Sequence, residues 1–344
     1  MTVHAEALDI PKLKTYLEQH IDGFGRLDGI EKFPDGQSNP TYLLNTSNSR
    51  FVIRMQPAGK LLKSAHAVDR EYRVMQALRN SDVPVPDVLH LCVDLDVIGR
   101  KFFVMRFVPG RVFWHPSVSE VCVEERSELY AEMNRVLAAL HNVDIKSVGL
   151  ENFGKPGNYF ERQISRWSEQ YRATQTRDIS AMDELIEWLP KNLPPDDGQV
   201  SLIHGDYRID NILFSNNDTT AVALLDWELS TLGHPYADLA YQCMQWRLQT
   251  DAVVPGLGAT DRAAVGIPTE QAYISQYCER RGIADITHWS FYLAFGFFRF
   301  AAIVQGVQKR AIDGNASSTK AMAYGDLTPV LSQLGVAVLK ENPR

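Results

Sequence analysis

The stretch SLIHGDYRIDNILF, Ser201–Phe214, is followed closely by TAVALLDWELS, Thr220–Ser230. In each, a short apolar run hands over to a carboxylate: Ser201–Ile203 leads to His204 and Asp206, and Ala221–Leu225 leads to Asp226. The pattern reads as two strand-and-loop units. Asp206 and Asn211 are five residues apart on the first loop, and Asp226 lies fifteen residues beyond Asn211. Phosphoryl transfer needs a carboxylate to orient and deprotonate an attacking hydroxyl, and oxygen ligands that hold Mg2+ against nucleotide phosphates. On that reading Asp206 is the base, and Asn211 and Asp226 are the metal ligands. The alternative is a polar turn in which Asp206 and Asn211 bond only local backbone.

Outward from this stretch the chain changes texture. Upstream, Pro11–Ile21 is predicted as a short amphipathic helix, and GIEKFPDG, TYLLNTS, RFVIRMQ, DVLHLCV and KFFVMRFV as strands, with a helix over Asp69–Arg79. From Glu120 onward helices dominate. Leu129, Met133, Val136, Leu137 and Leu140 make one stripe, and further helices are predicted over Tyr159–Arg172, Met182–Leu189, Tyr236–Gln249, Thr269–Arg281 and from Trp289. The expectation is an α+β chain with a β-rich lobe over residues 1–108 and a large helical lobe over 109–344.

HGDYRIDN with the trailing Asp226 resembles the aminoglycoside phosphotransferase and choline kinase superfamily, a distant relative of the protein kinases, over nearly the whole chain. The resemblance implies a bilobal protein-kinase-like fold: a small antiparallel β lobe with one key helix, and a mostly helical lobe. It assigns His204, Asp206 and Asn211 to the catalytic loop and Asp226 to Mg2+. In GHPYADLA it makes Asp238 the buried aspartate that braces that loop, a structural role like that of His204. ATP and Mg2+ are the implied cofactors.

Other residues fit around this frame. FPDGQSNPTYLL puts Gly36, Ser38 and Asn39 in a strand-turn-strand whose amides suit phosphates, although any hairpin uses such residues. No G-x-G-x-x-G is present, and PAGKLL lacks the first glycine and the Ser/Thr of a Walker loop. Glu71 shares a helical stripe with Ala67, Val74, Met75 and Leu78, and a carboxylate on a core-facing stripe needs a partner. Arg54, at the end of RFVIR, is the expected one. The pair resembles the kinase lysine–glutamate bridge, with arginine keeping charge and adding a planar grip, or else it is purely structural. Arg106, Phe107 and Val108, in FVMRFVPG, would form the hinge whose backbone meets adenine. Lys60 either reaches phosphate or is a solvated loop lysine, and Glu228 either helps the metal or is solvated.

Composition narrows the partners. Across 344 residues there are 35 basic and 42 acidic side chains, a net charge of −7 that argues against nucleic acid. The excess is uneven: residues 1–226 hold 25 basic and 32 acidic residues, and 227–344 hold 10 of each. Cys92, Cys122, Cys243 and Cys278 are too scattered for a disulfide framework, so a reducing, cytoplasmic setting is expected. MTVHAEALDIPKL lacks the marks of a signal peptide. WSFYLAFGFFRFAAIVQGV, from Trp289, has the length of a membrane span, but Arg299 at its centre would cost about 2.5–3.5 kcal/mol on insertion. A core helix is expected instead, and no membrane partner.

PAGKLLKSAHAVDREYRVMQAL, GRVFWHP, FGKPGNYFERQISRW, LLDWELSTLGHPYADLAY and GNASS resemble one branch, the kinase domain found with acyl-CoA dehydrogenases. That branch implies phosphorylation of a hydroxyl on a 4-hydroxyacyl-CoA, making it a leaving group for a dehydrogenase-like partner, here expected as a separate polypeptide. The balanced charge beyond Asp226 suits an anionic substrate better than a polycationic aminoglycoside. Tyr159, Arg162 and Arg166 repeat at helical spacing as candidate recognition residues, or as an exposed basic face. Two alternatives remain: an aminoglycoside, choline or other amino-alcohol kinase, and an inactive nucleotide-binding pseudokinase.

Overall fold

The computed structural model describes residues 9–33, 39–57, 66–155, 157–314 and 321–341. Chain contacts divide into two compact units, Met1–Gly110 with Val222–Glu228, and Arg111–Ala221 with Leu229–Arg344.

The first unit begins with α1 (Ile10–His20), capped by Asp9 and started by Pro11. It continues through β1 (Leu27–Lys32), β2 (Thr41–Thr46), β3 (Arg50–Met55), α2 (Val68–Leu78), β4 (Val88–Cys92), the one-turn α3 (Leu95–Ile98) and β5 (Phe102–Arg106). The strands form one antiparallel sheet in the order β1-β2-β3-β5-β4. Alternation along β3 sorts its side chains. Phe51, Ile53 and Met55 join Leu13, Leu17, Phe24, Phe102 and Val104 in the core beneath α1. Val52 and Arg54 therefore project from the other face, where Arg54 stands in register with Phe103 of β5. The Tyr72 ring of α2 lies 6.2 Å from the Phe103 ring, so α2 covers that same face. Glu71, with Val68, Val74, Met75 and Leu78, is on its buried stripe.

The second unit starts with α4 (Val123–Asn142), whose stripe of Leu129, Met133, Val136, Leu137 and Leu140 is fully buried. Next come α5 (Tyr159–Thr174), α6 (Ser180–Lys191), β6 (Ser201–Ile203) and β7 (Ile212–Phe214). The strand β8 (Ala221–Leu224) leads back into the first unit. There follow β9 (Thr231–Gly233), α7 (Tyr236–Gln245), α8 (Glu270–Arg281), α9 (Trp289–Ile312), α10 (Ala321–Tyr324) and α11 (Leu327–Glu341). The β6 and β9 strands pair antiparallel, with Ile203 opposite Thr231 and Ser201 opposite Gly233, so the loop that leaves β6 at His204 starts beside the entry to β9, and the one that leaves β9 at His234 starts at the other end of the pair. By length and composition α9 is able to cross a membrane, yet most of it is buried against α5, α6, α7, α10 and α11. The helices expected from the sequence do not include α3, α10 or α11. The first two are single turns, and α11 packs through small residues such as Gly335, where a Cβ would approach Leu185 to 2.9 Å.

Candidate active site

In the first unit the site is built around Arg54. Its Nη2 lies 2.6 Å from Asp226 Oδ1 and its Nε lies 2.8 Å from Glu71 Oε2, the latter an ion contact out of hydrogen-bond alignment. Glu71 is 1% exposed and accepts a second bond, 2.7 Å, from Asn39 Nδ2. Asn39 is itself buried and meets His66 Nδ1 through Oδ1 at 3.1 Å, so its side chain is committed to holding Glu71. Burial pushes the Glu71 carboxyl up to about 7 despite the arginine, because Asp226 and Glu228 add negative charge nearby. Arg54 loses by burial but gains more from those carboxylates, and is held firmly charged. Asp226 follows β8 with φ of +63°, a left-handed backbone that an aspartate adopts at a cost. Trp227 is buried beside it and donates its indole N–H to Leu224 O at 2.9 Å.

In the second unit, the loop after β6 is clamped at its backbone. Asp238, 1% exposed on α7, accepts the N–H of His204 at 2.6 Å and that of Gly205 at 2.8 Å. Burial alone would push this carboxyl up. The hydrogen bond and charge of His141, with the His204 contacts, outweigh burial and hold it below the ordinary range. Burial pushes the His141 imidazole down against the pull of Asp238, and its Nδ1 meets the Tyr277 hydroxyl at 2.7 Å. Gly205 turns at φ +86°, and a Cβ there would lie 2.6 Å from Leu229 O, so only glycine fits. Asp206 comes next. Its N–H donates to His204 Nδ1 at 3.3 Å, and Asn211 Nδ2 donates to both its carbonyl, 2.9 Å, and its Oδ2, 3.3 Å. These two bonds use only the Nδ2 of that amide and not its Oδ1 acceptor.

Other expected residues fall in several places. Gly36 and Ser38, and with them Lys60, lie outside the described residues. At the expected hinge, the Arg106 amide donates to Asp87 O and the Phe107 amide to Arg50 O, while the Arg106 side chain pairs with Asp87 in solvent. Tyr159 is 8% exposed and lines a cavity of about 260 Å³ with Phe160, His234 and Tyr292. Arg162 and Arg166 do not line it: Arg162 donates to Lys155 O at 2.6 Å, and Arg166 lies over the Trp167 ring.

Several neighbours of the loop were not anticipated. Arg208 grips Asp210 through both arms of its guanidinium and is held charged, against burial, by Asp206 and Asp210. The Tyr241 hydroxyl is pushed up by burial and by the adjacent Asp206 carboxylate. Arg299 donates to Gly205 O. The one signal for these was the cost of a charge in an apolar context, visible for Arg299 and absent for Arg208.

Comparison with known proteins gives a consistent picture. The model of the phosphotransferase enzyme family matches residues 29–272. Mouse acyl-CoA dehydrogenase family member 10 is 44% identical across 100% of the chain, which corresponds to 32% of that protein. Human acyl-CoA dehydrogenase family member 11 is 40% identical across 96% of the chain and 43% of its own length. The chain thus spans less than half of these relatives. A crystal structure from Ralstonia eutropha JMP134, labelled a provisional aminoglycoside phosphotransferase, is 45% identical with a TM-score of 0.89, covering 97% of this chain and 99% of that one. Choline kinase from Cryptosporidium parvum Iowa II shares the fold, with a TM-score of 0.68 at 12% identity, over 97% of each chain.

Proposed function

Because the chain belongs to the phosphotransferase enzyme family, we propose that it is an ATP- and Mg2+-dependent kinase acting on the hydroxyl of an acyl-CoA, specifically a 4-hydroxyacyl-CoA. The observation that carries the reading is the clamped loop, which presents the Asp206 carboxylate and orients it through Asn211. Asp206 accepts the hydroxyl proton as the oxygen attacks phosphorus. Arg54, fixed by Glu71, presents a permanent cation to phosphate oxygens. The nucleotide, when bound, supplies the phosphoryl group and its metal neutralises developing charge. Two of the three hinge amides are already bonded, so Val108 offers the free N–H for a nucleobase among these three residues.

The residues present fit Mg2+. Glu71, Asp226 and Glu228 gather around one arginine, a surplus of negative charge, and Asp226 is 35% exposed at its side chain. No cluster of three or more His, Cys, Asp or Glu side chains among the described residues forms a closed metal cage. Asp226 and Asn211 are the proposed oxygen ligands, each an open donor in its own unit, and phosphates and water would supply the rest of the oxygen set that Mg2+ favours.

The acyl-CoA assignment is supported by the names of the mouse and human relatives and by the balanced charge beyond Asp226. Phosphorylation converts a poor leaving group into a good one, and a dehydrogenase-like partner would consume the product. The label of the Ralstonia structure favours a second reading, an aminoglycoside acceptor. ADP release measured over 4-hydroxyacyl-CoAs, free hydroxy acids, aminoglycosides and choline separates the two. Turnover is expected with the thioesters; brisk turnover with an aminoglycoside and none with any thioester would overturn the acyl-CoA assignment. Asp206→Asn is expected to lose turnover, and near-wild-type activity would remove the proposed base.

A further inference from the structure

The most apolar helix of the chain carries a charge at its centre. Arg299 of α9 is 6% exposed and lies between the rings of Trp167, 5.8 Å away, and Tyr241, 5.6 Å away. Its Nη2 donates to Gly205 O at 2.9 Å, and its Nε has no hydrogen-bond partner among the described residues. A guanidinium is costly to bury, and an apolar side chain of similar volume is usually as good or better for stability. One bond to a carbonyl is a small return for that cost, so the value of the residue lies in what the bond holds.

What it holds is the peptide plane that enters Asp206. The Gly205 carbonyl and the Asp206 N–H belong to one rigid plane. Arg299 takes its carbonyl end, and His204 Nδ1 takes its N–H end at 3.3 Å. The preceding plane is tied through the Gly205 N–H to Asp238. Glycine at φ +86° has no side chain to fix these planes by packing, so the three contacts fix them. The Arg299 guanidinium also lies within cation–π reach of the Tyr241 ring, whose hydroxyl lies beside the Asp206 carboxylate. We propose that Arg299 is a positioning residue for phosphoryl transfer, setting the orientation of Asp206 through the Gly205–Asp206 peptide. The inference rests on the assignment of Asp206 as the base.

The test compares Arg299→Met and Arg299→Lys with Asp206→Asn. Two readouts are used: MgATP turnover with 4-hydroxypentanoyl-CoA, and amide hydrogen exchange over residues 203–208. Misplacing the base through its backbone is expected to lower kcat about 100-fold in Arg299→Met, with KM for ATP changed less than about threefold. Exchange at residues 203–208 rises while α4 stays protected. Arg299→Lys keeps a donor but loses the planar guanidinium, and is expected to fall between Arg299→Met and wild type. Wild-type kcat and wild-type exchange in Arg299→Met, with Asp206→Asn inactive, overturn the positioning role and leave the base assignment standing. An active Asp206→Asn overturns the base assignment instead. Should Arg299→Met not fold, Arg299→Lys decides alone: reduced kcat at unchanged KM for ATP supports the role, and unchanged kcat overturns it. The exchange readout needs no acceptor, so it also stands if the thioester is the wrong substrate.

Discussion

Replacing Asp238 by asparagine tests how the loop is held. The carboxylate accepts two backbone N–H groups, from His204 at 2.6 Å and Gly205 at 2.8 Å, at a site 1% exposed. Charge-assisted bonds of this kind contribute about 1.5–3 kcal/mol each. An asparagine carboxamide keeps one acceptor, now neutral, and turns a donor toward the other N–H. The result is one weakened bond and one buried N–H without a partner, a loss of about 2–4 kcal/mol. If the loss falls on local opening, hydrogen exchange at the His204 and Gly205 amides should accelerate by about 30- to 1000-fold, since 1.4 kcal/mol is about tenfold. The pH dependence has a definite sign. Asp238 is held below its ordinary value of 3.8, so the stability it contributes is present above that value and is lost as pH falls through the lower folded value. The penalty of Asp238→Asn should therefore be constant from about pH 5 to pH 8 and shrink in stronger acid. Exchange by NMR or mass spectrometry, with thermal unfolding as a function of pH, gives both numbers. Unchanged protection of His204 and Gly205 at neutral pH would refute the clamp.

Three further outcomes are expected. Gly205→Ala forces a Cβ to within 2.6 Å of Leu229 O at a positive φ, and should cost about 2 kcal/mol or more and most of the turnover, read by thermal unfolding and ADP release. MgATP at about 100 times its Kd should stabilise the wild-type chain by about 2.7 kcal/mol; Asp226→Asn should lose most of the part of that gain that EDTA also removes. Glu71, raised from 4.5 to about 7 by burial, contributes stability that is present below its unfolded value and lost as pH rises through the folded one. Unfolding free energy should therefore decline by up to about 3 kcal/mol between pH 5 and pH 8, and Glu71→Gln should flatten that decline.

How much of this was legible in the sequence depends on how far each residue's partner lies along the chain. The loop from His204 to Asn211 could be read because spacing alone puts a carboxylate and a carboxamide on one short segment, and the folded loop joins them by two hydrogen bonds. Arg54 and Glu71 were legible too, since a strand period and a helix period each fixed a facing direction. The Arg54–Asp226 contact was not, because it joins residues 172 apart and no periodicity spans that separation. Asn39 was expected at phosphate through its backbone amide, whereas its side chain is buried against Glu71, a commitment that only the three-dimensional neighbourhood reveals. Helix α11 was open to the same reading, since Leu327, Leu331, Leu334 and Val338 repeat at helical spacing and Leu327, Leu331 and Val338 are buried.

Glu71 and Arg299 show where the limit of such reading lies. Each is a charge on an apolar stripe, and each is almost wholly buried. The desolvation argument applies to both with equal force: a charge taken from water must be met by a partner or it is not retained in that state. For Glu71 a strand residue nearby in sequence, Arg54, supplies the partner. For Arg299 the same cost demands an acceptor inside the helical unit as well as disfavouring a membrane span. That acceptor is the carbonyl of Gly205, 94 residues upstream, in the segment where chemistry is concentrated. A buried charge is thus informative before its partner is known, because it marks a position where stability alone would have preferred a leucine. In a phosphotransferase whose base must be aimed within a fraction of an ångström, the backbone of the loop is a natural place for that cost to be met.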